Sequence, residues 1–134
     1  MTNTNTFEGY LHDHPDSVAL LDAVRCALSR AGTDPVAERL TKSQIAFRHR
    51  AAFAWVWAPG QYLGEGRAPL VVSVGLDHRD PSPRWKEVVE VRPGRFMHHL
   101  ELWRPDDVDD EVVAWLAVAW AAAGGPVWAW TGLI

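Results

Sequence analysis

The sequence predicts an α+β fold in which an antiparallel sheet of about four or five strands has an N-terminal and a C-terminal helix packed on one face. The first observation is an amphipathic segment with helix-capping residues near each end of the chain. The second is a set of short segments between them, rich in Val, Phe and Trp, in which apolar residues alternate. Turns containing Pro and Gly separate these segments, as expected of strands joined in antiparallel order.

Both helices have recognisable ends. Pro15 suits the first turn of a helix over about residues 15–31. A C-terminal helix is expected between Pro105 and Gly124, because acidic residues crowd its first turns and glycine and proline stop it. An acid–proline pair ahead of the first strand predicts a short helical turn over about residues 35–40.

The strands are predicted from alternation and from Val-rich or aromatic composition. The candidate strands cover residues 44–50, 52–58, 70–76, 85–91 and 95–103, with a loop over 59–66. Both faces of the second candidate are apolar, which favours a central place in the sheet.

The chain of 134 residues is expected to form a single domain, 1–134, in which residues 1–9 fray and the apolar tail 126–134 packs on the domain or on a second copy. The net charge of −4 argues against a broad non-specific nucleic-acid surface. The absence of a long apolar run and of a signal-peptide pattern predicts a cytoplasmic protein. Cys26 lies among apolar positions of the first helix and is predicted to be buried.

The stretch 95–103 combines strand-like composition with two histidines and a glutamate. A strand turns successive side chains to opposite faces. One face would carry Phe96, His98, Leu100 and Leu102, and the other Met97, His99, Glu101 and Trp103. His98 is therefore predicted to be buried and hydrogen bonded, which leaves His99 and Glu101 as candidates for function.

His99 and Glu101 also suggest an alternative, a metal-assisted hydrolase. Their spacing on one strand face allows chelation, but a third ligand would have to come from elsewhere, with His78 or His49 as candidates. His12-Asp13-His14 is a separate group of ligand types. We expect the histidines to be ordinary polar groups of the sheet, with no metal and no other cofactor.

No complete catalytic set is present in the sequence. It has no nucleophile-elbow motif, no phosphate-binding glycine loop and no pair of carboxylates singled out by spacing, and Ser73 in a Val-rich strand is interpreted as structural. These observations favour a non-enzymatic module and name no catalytic residue.

Cationic and aromatic residues share the predicted strands. Such a surface suits anionic small molecules, planar ligands or single-stranded nucleic acid. The candidate ligand-binding residues are Lys42, Arg48, Lys86, His99, Glu101 and Trp103, bordered by further tryptophans. A structural alternative is a solvated sheet face together with a homodimer closed by Trp128, Trp130 and Ile134.

The order of the motifs TKSQIAF, FAWVW, LVVSVGL, SPRWKEVVE, GRFMHHLEL and DDVDDEVVAWLAVAW resembles a family of small bacterial and archaeal domains of unknown function. The resemblance covers about residues 7–123. It implies that longer relatives carry this module at the C-terminus, behind a nuclease-like domain, and that some are labelled predicted transport proteins. It further implies an accessory role in nucleic-acid processing. The positions matching its recurrent residues are Thr41, Lys42, Phe47, Lys86, His99 and Glu101.

Overall fold

The computed structural model describes residues 6–32 and 36–124 and confirms the α+β fold. The helices are α1 (Phe7–His12), α2 (Pro15–Ala31), α3 (Gly60–Leu63) and α4 (Asp110–Ala123), with a 3-10 turn at Pro105–Asp107 before α4. The strands are β1 (Ala37–Leu40), β2 (Ile45–Arg48), β3 (Ala52–Trp57), β4 (Leu70–Leu76), β5 (Glu87–Arg92) and β6 (Arg95–Leu102). The sheet thus has six strands, slightly more than expected.

The strands form one antiparallel sheet in the order β1-β2-β3-β4-β6-β5. Helix α2 packs on α4 and β4, and α4 packs on β3 and β4, so the two long helices cover the middle of one sheet face. On β4, Leu70, Val72, Val74 and Leu76 join the hydrophobic core beneath them. Val71, Ser73 and Gly75 alternate with these residues and belong to the opposite face, which we call the open face.

Helix α2 has the bounds predicted from the sequence, and its buried side is made by Leu20, Leu21, Val24, Ala27, Leu28 and Ser17. Cys26, predicted to be buried, is exposed on this helix. Helix α4 begins after Asp109, whose side chain accepts a hydrogen bond from the Val112 backbone N–H. No helix within residues 6–32 and 36–124 is long and apolar enough to cross a membrane.

The prediction of a helical turn over residues 35–40 is wrong. Residues Ala37–Leu40 form edge strand β1, which pairs along its whole length with β2. Those backbone hydrogen bonds, together with the Arg25–Glu38 ion pair at 2.8 Å, favour the extended conformation over a single unsupported helical turn. The acid–proline pair that suggested the turn lies outside the described residues.

Two further expectations concern the loop over 59–66 and the ends of the chain. The loop includes the one-turn helix α3. Residues 7–9, expected to fray with the N-terminus, lie in α1 because the fully buried Phe7 anchors them and the Thr6 side chain accepts a hydrogen bond from the Gly9 backbone N–H. Residues 1–5 and the apolar tail 126–134 lie outside the described residues.

A polar and aromatic cluster fixes the loop before β5 against the end of the sheet. His98 is fully buried, as predicted; its Nε2 atom accepts a hydrogen bond of 3.0 Å from the Asp80 backbone N–H, and its ring packs on Trp85. Trp85 stacks on Trp115 of α4 and donates a 2.9 Å hydrogen bond to Asp80. Arg84 binds Asp109 and Glu111 at 3.0 and 2.7 Å. This cluster, the Trp85 cluster, therefore ties β6 to the N-terminal end of α4.

The Trp85 cluster predicts a loss of stability in mild acid. Burial lowers the pKa of His98 from its ordinary value of 6.5, so the folded protein holds this imidazole neutral. The unfolded chain takes up its proton first as the pH falls below about 6.5, and the free energy of unfolding then decreases by up to about 1.4 kcal/mol per pH unit for this group. Urea unfolding at about pH 7.5 and about pH 5.5 measures the difference.

A His98→Asn variant should lose less stability than the wild type between these two pH values. His12→Gln, which removes an exposed imidazole from α1, is the matched control and should keep the wild-type difference. An equal loss in the wild type and in His98→Asn would assign the acid sensitivity to other groups.

Candidate functional site

The open face carries one continuous row of side chains across the sheet. The strand register aligns Ala46 of β2 with Trp55 of β3, Trp55 with Ser73 of β4, Ser73 with His99 of β6, and His99 with Glu87 of β5. Neighbouring residues in such a row lie about 4.5–5.5 Å apart and interact directly. The row brings an indole, a hydroxyl, an imidazole and a carboxylate together from sequence positions far apart.

Hydrogen bonds connect the centre of this row to Trp57. The indole N–H of Trp57 donates to Ser73 Oγ at 3.0 Å, and Ser73 Oγ and His99 Nδ1 share a hydrogen bond of 2.6 Å. The rings of Trp57 and His99 meet edge to face with centroids 6.2 Å apart. Ser73 is almost completely buried beneath the two rings. We call these three residues the Trp57–Ser73–His99 triad.

The triad determines which protonation state His99 presents. Burial lowers the pKa of His99, and the Glu87 carboxylate, which raises it, offsets only part of this effect, so the imidazole is neutral near pH 7. Because the indole N–H can only donate, the Ser73 hydroxyl is available to donate to Nδ1. With Ser73 donating to Nδ1, the neutral ring carries its proton on Nε2, which has no hydrogen-bond partner in the part of the chain that the structure describes.

A shallow depression of about 420 Å³ lies on one side of the triad. Its lining is aromatic and uncharged and consists of Ser43, Gln44, Trp55, Trp57, Tyr62, Ser73, Met97 and His99. Tyr62 reaches it from the loop helix α3, while the other residues come from the open face and from the turn before β2. We call it the aromatic depression.

A second depression of about 280 Å³ lies on the other side and also borders Trp57 and His99. Its charged residues are Arg67, Lys86, Glu87 and Glu101, and Pro59, Leu63 and Val71 complete its lining. We call it the charged depression. A molecule lying over Trp57 and His99 would therefore touch both depressions.

The residues predicted for a ligand site divide into two groups. Lys86, His99 and Glu101 line the charged depression together. Lys42, Arg48 and Trp103 line neither depression. The Lys42 carbonyl instead accepts hydrogen bonds from the Phe7 backbone N–H and the Gln61 side chain, which holds α1 and α3 near the sheet.

Among the residues that the structure describes, His99 and Glu101 are joined by no third metal ligand. Within residues 6–32 and 36–124, no three His, Cys, Asp or Glu side chains are placed to hold a metal ion together. His49, one suggested ligand, stacks on Trp120 of α4, and His78, the other, hydrogen-bonds to Asp77. The ring of His14, next to His12 and Asp13, stacks on Tyr10.

Sequence reasoning did not include Ser73, Tyr62, Met97, Arg67 or Glu87 among the candidate site residues. Ser73 was interpreted as structural, yet alternation within 70–76 already separates it from the core positions on either side. What the sequence lacked was the pairing of β4 with β6, which sets Ser73 beside His99. Tyr62 comes from a loop, for which no periodic signal exists.

These features define an α+β fold whose sheet carries an aromatic and polar candidate site on the face opposite the long helices. A family model described as "Domain of unknown function (DUF5655)" matches residues 7–123, and the chain belongs to this family. No curated protein and no solved structure matches the chain.

Proposed function

We propose that the protein is a non-enzymatic module that binds a small molecule on its open face. The observation that carries the proposal is the Trp57–Ser73–His99 triad, placed between two depressions on the sheet face opposite the long helices. The ligand lays a flat ring in the aromatic depression and offers a hydrogen-bond acceptor to His99 Nε2.

The dimensions and the lining of the aromatic depression support this proposal. Its volume of about 420 Å³ falls within the range of about 300–1,000 Å³ usual for small-molecule sites. Trp55, Trp57 and Tyr62 supply broad apolar surfaces that favour stacking with a flat group. Ser73 fixes His99 in one orientation, so little ordering of the site is needed when a ligand binds.

The hydrogen bonds of Ser73 favour binding over nucleophilic catalysis. A catalytic serine needs a base that takes its proton and an oxygen free to attack. Here Ser73 Oγ accepts the Trp57 indole proton and is almost completely buried beneath two rings. Ser73 is better placed to orient His99 than to reach a substrate.

The neutral compound N-acetyl-L-tryptophanamide is a suitable first probe, because it combines a flat ring with amide acceptors. We expect it to bind the wild-type protein and to bind His99→Ala at least about tenfold more weakly, through loss of a buried hydrogen bond and a ring contact. Titration calorimetry measures both affinities. Lys42→Ala, whose side chain lines neither depression, is the control and should bind like the wild type. No binding of this compound or of its charged analogues to the wild type, or equal binding to His99→Ala, would contradict the proposal.

A second candidate is an accessory role in nucleic-acid processing. The family resemblance implies it, because longer relatives would carry this module behind a nuclease-like domain. The aromatic residues of the open face favour it, since exposed aromatic rings on a sheet stack with unpaired bases. Glu87 and Glu101 beside the rings oppose it, because they repel a phosphate backbone. Saturable binding of a short oligothymidylate, weakened by Trp57→Ala, would favour this candidate over the first.

We place the protein in the cytoplasm as part of the same proposal. A homodimer closed by Trp128, Trp130 and Ile134 also remains a proposal, and these three residues lie outside the described part of the chain. Light scattering of the whole chain and of a form ending at Gly125 tests it, because the dimer requires the shorter form to have half the molecular mass.

A further inference from the structure

The charged depression brings two basic and two acidic side chains to the edge of the triad. They are Arg67, Lys86, Glu87 and Glu101. In the ranges 6–32 and 36–124, none of the four forms an ion pair with another residue. Some exposed charges elsewhere on this protein form ion pairs, as in Arg25–Glu38 and Arg30–Asp110. Opposite charges that share one depression without pairing leave both signs available to a ligand.

The neighbouring aromatic depression has no charged residue. Because Trp57 and His99 line both depressions, one molecule can lie across the triad with a flat apolar group on one side and its charged groups on the other. The division of the lining therefore describes a ligand with an uncharged ring at one end and a polar head at the other.

Resting on the small-molecule function proposed above, we infer that the ligand is a zwitterion: an amino acid, or a molecule with an amino-acid head, that carries a flat side group. Its carboxylate pairs with Lys86 and Arg67 and accepts a hydrogen bond from the Nε2–H group of His99. Its ammonium group pairs with Glu87 and Glu101. The flat side group lies against Trp55, Trp57 and Tyr62.

Charge complementarity selects the zwitterion over ligands of one sign. A simple anion is attracted by the two basic side chains but repelled by the two carboxylates. A simple cation is attracted by the carboxylates but repelled by the basic side chains. A neutral ligand forms an ion pair with none of the four charged side chains, which then remain hydrated. A molecule that carries an ammonium group and a carboxylate on the same carbon atom can pair with both the basic and the acidic side chains.

A matched series of compounds tests this inference by titration calorimetry. The series consists of L-tryptophan (zwitterion), L-tryptophanamide (cation), N-acetyl-L-tryptophan (anion) and N-acetyl-L-tryptophanamide (neutral), which share one ring. We expect L-tryptophan to bind about fivefold more tightly than each of the other three, since a partly exposed ion pair contributes up to about 1 kcal/mol.

Two variants locate the effect. Lys86→Met and Glu101→Gln should each weaken L-tryptophan binding by about fivefold and leave the affinity for the neutral member unchanged. Lys42→Met and Glu8→Gln are matched controls, because both residues are exposed and line neither depression. Both controls should bind all four compounds as the wild type does.

The outcomes separate this inference from the function on which it rests. If the neutral, cationic or anionic member binds as tightly as L-tryptophan, and His99→Ala weakens that binding, the zwitterion is excluded and the small-molecule site stands. If none of the four compounds binds the wild-type protein, both proposals are wrong.

Discussion

Replacing Trp85 by alanine is expected to lower the free energy of unfolding by about 3–5 kcal/mol. The ring is nearly buried, packs on Trp115 and His98, and donates a hydrogen bond to Asp80. Its removal leaves a cavity between α4 and β6 and takes a hydrogen bond from Asp80. Although burial raises the pKa of Asp80, hydrogen bonds from Trp85 and the Ser82 backbone hold it below its ordinary value, so the carboxylate loses support for its charge. Urea unfolding followed by circular dichroism measures the loss.

Trp103→Ala is the matched control for this prediction. Trp103 lies directly after β6, and 52% of its surface is exposed. Its removal should change the free energy of unfolding by no more than about 0.5 kcal/mol. Equal losses in the two variants would mean that the Trp85 cluster does not fix β6 to α4.

Replacing Trp57 by alanine is expected to weaken binding of N-acetyl-L-tryptophanamide between about fivefold and about a hundredfold, because an aromatic stacking platform contributes about 1–3 kcal/mol. The change also frees Ser73 from the indole proton and so loosens His99. Trp57 is half-buried on the face without the long helices, so the variant should remain folded. Calorimetric titration of the folded variant measures the effect.

The control for Trp57 is again Trp103→Ala, which removes an indole that lines neither depression. It should bind the probe like the wild type. If Trp103→Ala weakens binding as much as Trp57→Ala, the loss does not arise in the aromatic depression, and the site lies elsewhere.

The sequence alone was sufficient for elements determined by local signals. Helix α2 has the predicted bounds because proline starts it and an apolar stripe continues to its end. Strand β4 also has its predicted bounds, since seven apolar or small residues lie between loops. Alternation over 95–103 correctly placed His98 in the core and His99 with Glu101 on the other face.

Features that depend on long-range pairing were not accessible in this way. The segment that forms β1 was predicted to be a helical turn. Its extended conformation depends on pairing with β2, which no local pattern shows. The hairpin that turns at Gly94, whose φ of 77° suits glycine, pairs β5 with β6, and the sheet order then has β6 rather than β5 beside β4. That strand order puts His99 next to Ser73, so no local pattern in either strand could predict the triad.

The most direct test of a binding site on the open face is an NMR titration of ¹⁵N-labelled protein with N-acetyl-L-tryptophanamide. The indole N–H of Trp57 reports on the triad because it donates to Ser73. A ligand in the aromatic depression should shift the Trp57 indole signal and the backbone signals of Ser73 and His99, and leave those of α2 in place. Shifts confined to α2 and α4, with the Trp57 signal unchanged, would show that the open face is not the binding site.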